Sequence, residues 1–585
     1  MSVEKLIVDH METWTSALQT RSTAGRGSSG KIDLYGIKKL RELILELAVR
    51  GKLVPQDPND EPASELLRGM KKQQEDLIKE RKIKKPKKLP SIDGTLESIS
   101  VPQGWELCYL NDIGDWGAGA TPNRTNSGYY GGDIPWFKSG ELSEDYITDS
   151  EEHITALALK ECSLRDNQPG DVLIAMYGAT IGKTSILNSR STTNQAVCAC
   201  TPFDGLSNQY LLIFLKASKK VFTAMGAGGA QPNISKEKIV ATLFALPPLN
   251  EQLRIVKKVE QLMSLCDQLE QQSLTSLDAH QQLVETLLGT LTDCQNAEEL
   301  AENWARISEH FDTLFTTEAS VDALKQTILQ LAVMGKLVPQ DPNDEPASEL
   351  LKRIAQEKAQ LVKEGKIKKQ KPLPPISDEE KPFELPEGWE WCKFGLTSEF
   401  INGDRGSNYP NKNEYVSQGI PWINTGHIEK NGTLTVTEMN FITEGKFNEL
   451  RSGKIQKGDL VYCLRGATFG KTAFVIPYET GAIASSLMII RPFITEMGGY
   501  IYNYLTSPFG RSQIYRFDNG SAQPNLSANS VMLYSFPCPP LTEQYRIFSQ
   551  VGLLHELCDK LKTRIKTAQQ TQLHLADALT DAAIN

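Results

Sequence analysis

The sequence predicts an α+β protein: two mixed α/β globules separated by long paired antiparallel helices, a coiled-coil spacer, in a pseudo-two-fold internal repeat. Three observations predict it. LAVRGKLVPQDPNDEPASELL at 47–67 recurs as LAVMGKLVPQDPNDEPASELL at 331–351, with only Arg50 changed, to Met334. Each copy holds a Gly-, aromatic- and β-branched-rich stretch, 99–246 and 383–538. Each stretch ends in P-P-L-x-E-Q followed by a long apolar heptad. Repeat units this long do not build a solenoid, whose unit is about 20–50 residues.

Shorter echoes recur in the same order. VPQGWELC answers LPEGWEWC, GGDIPWFKSGEL answers SQGIPWINTGHI, GGAQPNIS answers GSAQPNLS, and PPLNEQLRIV answers PPLTEQYRIF. Small insertions make the offset drift between them.

In chain order, the first helix of each copy carries the stripe Ile37, Leu40, Ile44, Leu47 or Val321, Leu324, Ile328, Leu331. Spacings of three and four put these on one helical face. Gly51 and Gly335 then end the helices. PQDPNDEPASELL reads as a turn and a new helix, whose first amides Asp60 or Ser64 can cap. KERKIKKPKKLP (79–90) and KEGKIKKQKPLP (363–374) come next. They are either solvated helix ends entering a linker or phosphate contacts. Within the globules VLIAMYG and LVYCLRG read as buried strands around a small sheet. SNQYLLIFLKAS and MGGYIYNYLTSP read as short helices, and the residues of QPNIS and QPNLS (Gln231, Asn233, Gln523, Asn525) as caps of the next one. Beyond Pro247–Pro248 the seam runs Ile255, Val259, Leu262, Cys266, Leu269, turns polar at Ser273 and Ser276, and resumes at Leu283 and Leu287. Beyond Pro539–Pro540 it runs Ile547, Val551, Leu554, Cys558, Leu561, Ile565, Ala568. Such a seam fits helix-on-helix pairing.

Bulk features exclude several classes. No run of about 18 apolar residues exists, so no membrane span is expected, and the first 21 residues lack a signal-peptide pattern. The 10 cysteines and seven histidines form no metal-ligand spacing. The net charge of −9, about −4 over 99–247 and −1 over 383–539, shows no basic face for a nucleic acid.

GATIGKT (178–184) and GATFGKT (466–472) look like phosphate loops. Such a loop needs Gly-x-x-x-x-Gly-Lys-Ser/Thr opening a helix. Here three residues, not four, separate Gly178 from Gly182 and Gly466 from Gly470. The stretches just C-terminal to them, TSILNSRSTTNQAV and TAFVIPYETGAIAS, carry strand and turn residues. The expectation is strand–tight turn–strand, either a structural hairpin or a turn set against a nucleic-acid backbone, with Lys183 or Lys471 on a phosphate.

Taken together, PPLNEQLRIV and PPLTEQYRIF, the two IPW triplets, YGATIGKT with RGATFGKT, and the QPN turns resemble the specificity subunits of type I restriction–modification systems, phage-defence complexes. The resemblance covers nearly the whole chain. It implies an N-terminal helical region (1–98), a first target recognition domain (99–247), a central helical region (248–382), a second target recognition domain (383–539) and a C-terminal helix (540–585). It implies a non-catalytic cytoplasmic subunit whose domains each read half of a split double-stranded DNA site. The helices, carrying Ile255, Val259, Leu262, Ile547, Val551 and Leu554, would set the spacer and dock two modification subunits, and two restriction subunits would join. S-adenosylmethionine, ATP and magnesium would sit on those partners and no cofactor on this chain. No N/D-P-P-Y/F methylase sequence is present. A coiled-coil scaffold that never touches DNA and a fused methylase or nuclease are the alternatives.

Two halves reading different sequences place base contacts where the copies diverge. The expected contacts are Asn123, Arg124, Asn126 and Lys138 in one domain and Arg405, Asn408, Asn424 and His427 in the other, with Lys183, Arg465 and Lys471 positioning the backbone. Equivalence of the two termini, once joined, with the central region predicts that the terminal helices meet, with Ile44 near Leu554.

Overall fold

A computed structural model describes residues 3–21, 31–92, 101–226, 232–465, 468–517 and 526–584. Gly466 and Ala467 of GATFGKT, with Gln231, Gln523 and Asn525, lie outside these. The chain divides into two compact units. The first contains 29–275 with both chain ends, including 569–585; the second contains 276–568. Each unit therefore joins one α/β domain to its flanking helices.

In the first unit the strand Glu106–Tyr109 pairs antiparallel with Leu243–Leu246, closing the domain at its ends. A five-stranded sheet has the order Gly114–Ala118, Val197–Pro202, Val172–Ala175, Thr184–Leu187, Tyr146–Ile147. A three-stranded sheet has Tyr130–Phe137 between Thr192–Thr193 and His153–Ile154. The second unit repeats the plan. Glu390–Lys393 pairs with Ser535–Cys538, and two four-stranded sheets are centred on Leu487–Pro492 with Leu460–Cys463 and on Ile420–Ile423 with Gly481–Ile483. Each domain thus has two larger sheets where one small sheet was expected. The predicted strands Val172–Ala175 and Leu460–Cys463 are buried at every position, and the predicted helices form as Asn208–Ala217 and Gly498–Thr506.

The helices obey the predicted stripes. Tyr35–Val49 buries Ile37, Leu40, Ile44 and Leu47 and packs on Asn208–Ala217. Glu318–Val333 buries Val321, Leu324, Ile328 and Leu331. Gly51 and Gly335, at φ +65° and +71°, end them in the left-handed region that favours glycine.

The long helices are Leu249–Asp293 and Leu541–Ile584. Ile255, Val259, Leu262, Cys266 and Leu269 are buried as the heptad requires. The seam does not resume at Leu283, which is 50% exposed, but at Val284, Leu288 and Leu291. Ala568 is likewise exposed, and Ala576 and Thr580 are buried. The reason is a change of neighbour. In the first unit Arg41 holds the helix through Asp267 and Glu270 at 2.6 and 2.8 Å. In the second unit Lys336 holds its end through the carbonyls of Thr292 and Cys294 at 2.8 and 2.7 Å. A single register need not serve both neighbours.

The C-terminal helix shows the same two attachments. Lys325 pairs with Asp559 at 2.7 Å in the second unit, as Arg41 does with Asp267. Lys52 donates to the carbonyl of Ile584 at 2.5 Å in the first, as Lys336 does to Thr292. Tyr35 and Lys39 also reach Asp577, each at 2.8 Å. The chain ends do meet, but through Asp577 and Ile584. The expected Ile44–Leu554 pairing is corrected: the two residues belong to different units, and Leu554 packs with Leu324 and Ile328 in the second.

One extension of the repeat was not visible in the sequence. Val3–Asp9, His10 and Met11–Ser16, with Ile7 and Trp14 buried, correspond to Ala297–Glu309, His310 and Phe311–Leu314, with Ile307 and Leu314 buried. Only scattered residues match there (Ile7 with Ile307, His10 with His310, Thr13 with Thr313), too few to stand out.

Candidate nucleic-acid interface

The nearly identical 21-residue repeat is a lock for the P-P-L-x-E-Q-x-R motif. Arg254 pairs with Asp60, and Arg546 with Asp344, both at 2.7 Å. Gln56 donates to Gly51 O at 2.7 Å and to Glu251 at 3.0 Å; Gln340 donates to Gly335 O at 2.8 Å and to Glu543 at 3.0 Å. Gln252, fully buried, accepts from Ser207 N and donates to Pro247 O. Asp60 therefore does not cap the next helix as expected. That helix, Ala63–Lys79, starts after Pro62 without a side-chain cap. The Arg254 hydrogen bond holds the Asp60 carboxyl below its usual range, and burial pushes Glu251 and Glu543 up. These charges are internal fastenings and leave binding to other groups.

In the first domain the GATIGKT turn meets Pro232 and Asn233. Strand Val172–Ala175 leads into a 3-10 turn, Gly178–Thr180, and returns as the antiparallel Thr184–Leu187. Gly178 and Gly182 take φ of +62° and +78°. A side chain at Gly182 would also come within 2.9 Å of Lys219 Cγ. The turn is thus a hairpin, as its spacing predicted. Tyr177 bridges Asn233, and Gly178 N donates to Pro232 O at 2.8 Å, so the QPN turn braces it. Ser235, not Asn233, caps the helix Lys236–Val240, and Ser527 caps Ala528–Met532. In the second domain Leu526 N donates to Leu464 O at 3.0 Å beside Gly470, at φ +77°.

The predicted contact residues fall into three groups. Asn123, Asn126 and Asn424 spend Oδ1 on backbone amides of their own turns, those of Thr125, Gly128 and Gly426. Asn408 donates to Glu449 O. His427 is the clearest correction. It is 5% exposed, and Nδ1 accepts from Asn424 N at 3.1 Å. Glu141 holds the equivalent turn in the first domain by accepting from Lys138 N at 2.7 Å. His427 is a turn cap, and burial lowers its pKa. Arg465 is half-buried, its Nε without a partner among the described residues, whereas Arg405 and Lys471 are exposed.

The third group converges. Arg124 and Lys138 both pair with Glu152, Arg124 NH1 at 2.6 Å. Arg124 also stacks over Tyr130 and Trp136. Lys183 donates to Gly140 O at 3.3 Å, placing the GKT lysine beside the turn that carries Lys138. Hydrogen bonds first from Arg124 and then from Lys138 hold the Glu152 carboxyl below its usual range. Glu152, Tyr130 and Trp136 were not among the residues expected from the sequence. Trp136 stood inside the IPW motif, but nothing in the sequence signalled Glu152. The basic stretch after Ala63–Lys79 lies over the first domain as well. Lys82, Lys84, Lys85 and Lys87 line a groove of about 730 Å³ with Trp116, Arg165 and Lys236.

The long helices present apolar residues outward at matched positions: Leu253 and Leu575 in the first unit, Tyr545 and Leu283 in the second, between 46% and 52% exposed. By contrast Ile255, Val259, Leu262, Ile547 and Val551 are buried within the chain and Leu554 is partly so. Those six are packed inside the chain, whereas Leu253, Leu575, Tyr545 and Leu283 are turned to the surface.

A doubled α/β domain, each copy bearing a hairpin with a positive-φ glycine and a polar loop that differs between the copies, with one long helix after each domain, is the architecture that the resemblance implies. The family model for the type I restriction modification DNA specificity domain matches residues 102–279 and 386–568, and the chain belongs to that family. It is 50% identical to the type I restriction enzyme EcoAI specificity subunit and 45% identical to the EcoEI specificity subunit, both of Escherichia coli, over the whole length of each chain. The HsdS subunit from Thermoanaerobacter tengcongensis is similar at 16% identity and TM-score 0.39, over 84% of this chain and 99% of that one.

Proposed function

We propose that this type I specificity subunit reads a bipartite, asymmetric DNA site, one half with each α/β domain, and is itself non-catalytic. The observation that carries the reading is shared scaffold with unshared loops. Both domains keep the Trp of IPW buried, at Trp136 and Trp422, with a positive-φ glycine in each hairpin. The loops between these fixtures carry different side chains: Arg124 and Lys138 pair with Glu152 in the first domain, whereas Asn424 and His427 fasten their own turn in the second. Contacts common to both halves position the sugar-phosphate backbone; contacts unique to one carry sequence.

Two modification subunits dock on the long helices. The matched outward pairs Leu253 with Tyr545 and Leu283 with Leu575 support two copies of one partner, because the internal repeat presents the same residues twice. Methyl transfer from S-adenosylmethionine to adenine N6, and ATP- and magnesium-dependent cleavage by two restriction subunits, belong to those partners in the cytoplasm. Among the described residues no group of three or more His, Cys, Asp or Glu could hold a metal ion, and no helix is long and apolar enough to cross a membrane.

The test is a map of methylated adenines in cells carrying this chain with its modification partner. Exchanging residues 99–247 for those of another specificity subunit should change one half of a split motif and leave the other half and the spacer intact. An unchanged motif would reduce the chain to a scaffold. Methyl transfer by the purified chain alone would make it an enzyme.

A further inference from the structure

One charged cluster in the first domain is built as a reading head. The Arg124 guanidinium carbon lies 4.7 Å from the Tyr130 ring centroid and 5.0 Å from that of Trp136. The shelf is itself fixed. Trp136 Nε1 donates to Ala120 O at 3.1 Å, and the Tyr130 hydroxyl donates to Pro122 O at 2.7 Å. Both bonds end on the loop that carries Arg124. Glu152 sits at the side, with Oε2 accepting from Arg124 NH1 at 2.6 Å and Oε1 from Lys138 Nζ. Arg124 nevertheless keeps 54% of its side chain exposed. It is therefore immobilised on one face and one nitrogen, while the other donors of its fork remain available.

We propose that Arg124 reads a guanine in the half-site of the first domain, and that Glu152 is the residue that positions it. The proposal rests on the reading of this domain as a half-site reader. Two parallel N–H groups of a guanidinium match O6 and N7 on the major-groove edge of guanine, and no other base offers two acceptors there. Stacking and the carboxylate remove rotamer freedom before DNA arrives, so less is lost on binding. Glu152 also offsets one of the two cations, which weakens attraction to any phosphate and favours a base edge over the backbone. Among the described residues of the second domain no cation lies over the equivalent edge-on pair, Tyr409 and Trp422 at 5.2 Å, and Asn424, at the place of Lys138, caps its own turn. A device present in one domain alone can distinguish the halves.

The experiment uses the chain assembled with its modification partner. Binding to the mapped site and to all single-base substitutions of its first half-site is measured for the parent, Arg124→Lys and Glu152→Gln. Arg124→Lys is expected to relax discrimination at one G·C pair by roughly 5- to 150-fold and leave the other positions unchanged. Glu152→Gln is expected to relax the same pair by a smaller factor. It should also tighten binding to unrelated DNA and steepen its salt dependence, by up to about one phosphate contact. Loss of affinity spread evenly over all substitutions would make Arg124 a phosphate contact and overturn the proposal. So would relaxation at different pairs in the two variants, or unchanged discrimination in both. If exchange of residues 99–247 still changes the methylated half-site, only the role of this cluster has failed. If that exchange changes nothing, the half-site reading fails as well. Unchanged melting temperatures separate either outcome from misfolding.

Discussion

Arg254→Ala tests the lock between the 21-residue repeat and the P-P-L-x-E-Q-x-R motif. The Asp60 side chain is 6% exposed and the Arg254 side chain 36%. Without Arg254, Asp60 keeps only a 3.3 Å contact from Asn250. Breaking a buried ion pair from its exposed side strands the buried charge, at about 3–5 kcal/mol for full burial. Because this pair opens to water on the arginine side, about 2–3 kcal/mol is the expected cost, the range of a lost charge-assisted hydrogen bond. Asp60→Asn should cost only about 1 kcal/mol, since the stranded arginine reaches water and asparagine keeps the shape. Hydrogen exchange in the intact chain reads the difference locally. Peptides over 51–63 should open roughly 30- to 150-fold faster in Arg254→Ala, at 1.36 kcal/mol per decade. Peptides over 335–347, locked by Arg546 and Asp344, should not change. Equal effects of the two substitutions, or acceleration in both copies, would refute the argument that burial asymmetry and a local lock set the cost.

Three more outcomes are expected from the geometry. The Glu380 carboxyl would be raised by burial, but hydrogen bonds from Lys393, the Ser377 amide and Arg516 hold it at about 2. A depressed carboxyl contributes stability present above its ordinary value of 4.5 and lost as pH falls toward 2, here about 3 kcal/mol; near-UV circular dichroism of Glu380→Gln should show a smaller loss of stability over that window than the parent, and an identical loss would contradict it. Gly182→Ala, at φ +78° with a 2.9 Å approach to Lys219 Cγ, should destabilise more than Gly178→Ala, at φ +62° with open space around it; the latter costs about 1–2 kcal/mol for the left-handed backbone alone, and thermal melts should rank them in that order. Leu253→Glu combined with Tyr545→Glu should abolish co-purification of the modification partner and leave the melting temperature unchanged, whereas Ile547→Ala, at 0% exposure, should cost about 2–5 kcal/mol of folding stability; unaltered assembly in the first variant would move docking off these faces.

Periodicity made the repeat, the helical stripes, the hairpin nature of GATIGKT and the divergence of the loops readable from residue order. Those are local or self-referential signals: a stripe needs only spacing, a tight turn needs only glycine, and a duplicated domain announces itself by matching its twin. Partners distant in sequence were not readable. Asp60 looked like a helix cap because Arg254, 194 positions on, could not be seen beside it. His427 looked like a base-reading side chain because its burial depends on how its turn packs. The heptad could not be extended through Leu283 because the two halves of the helix pack in different units. What covers the seam was not readable either, because a heptad marks an apolar face without saying what packs on it. By itself the sequence determined that one recognition domain is present twice with different loops, since identity between copies is a property of the chain alone. Only the tertiary structure decided that Arg124, Lys138 and Glu152 form one cluster on Tyr130 and Trp136, because charge pairing and burial arise where separate strands and turns are brought together.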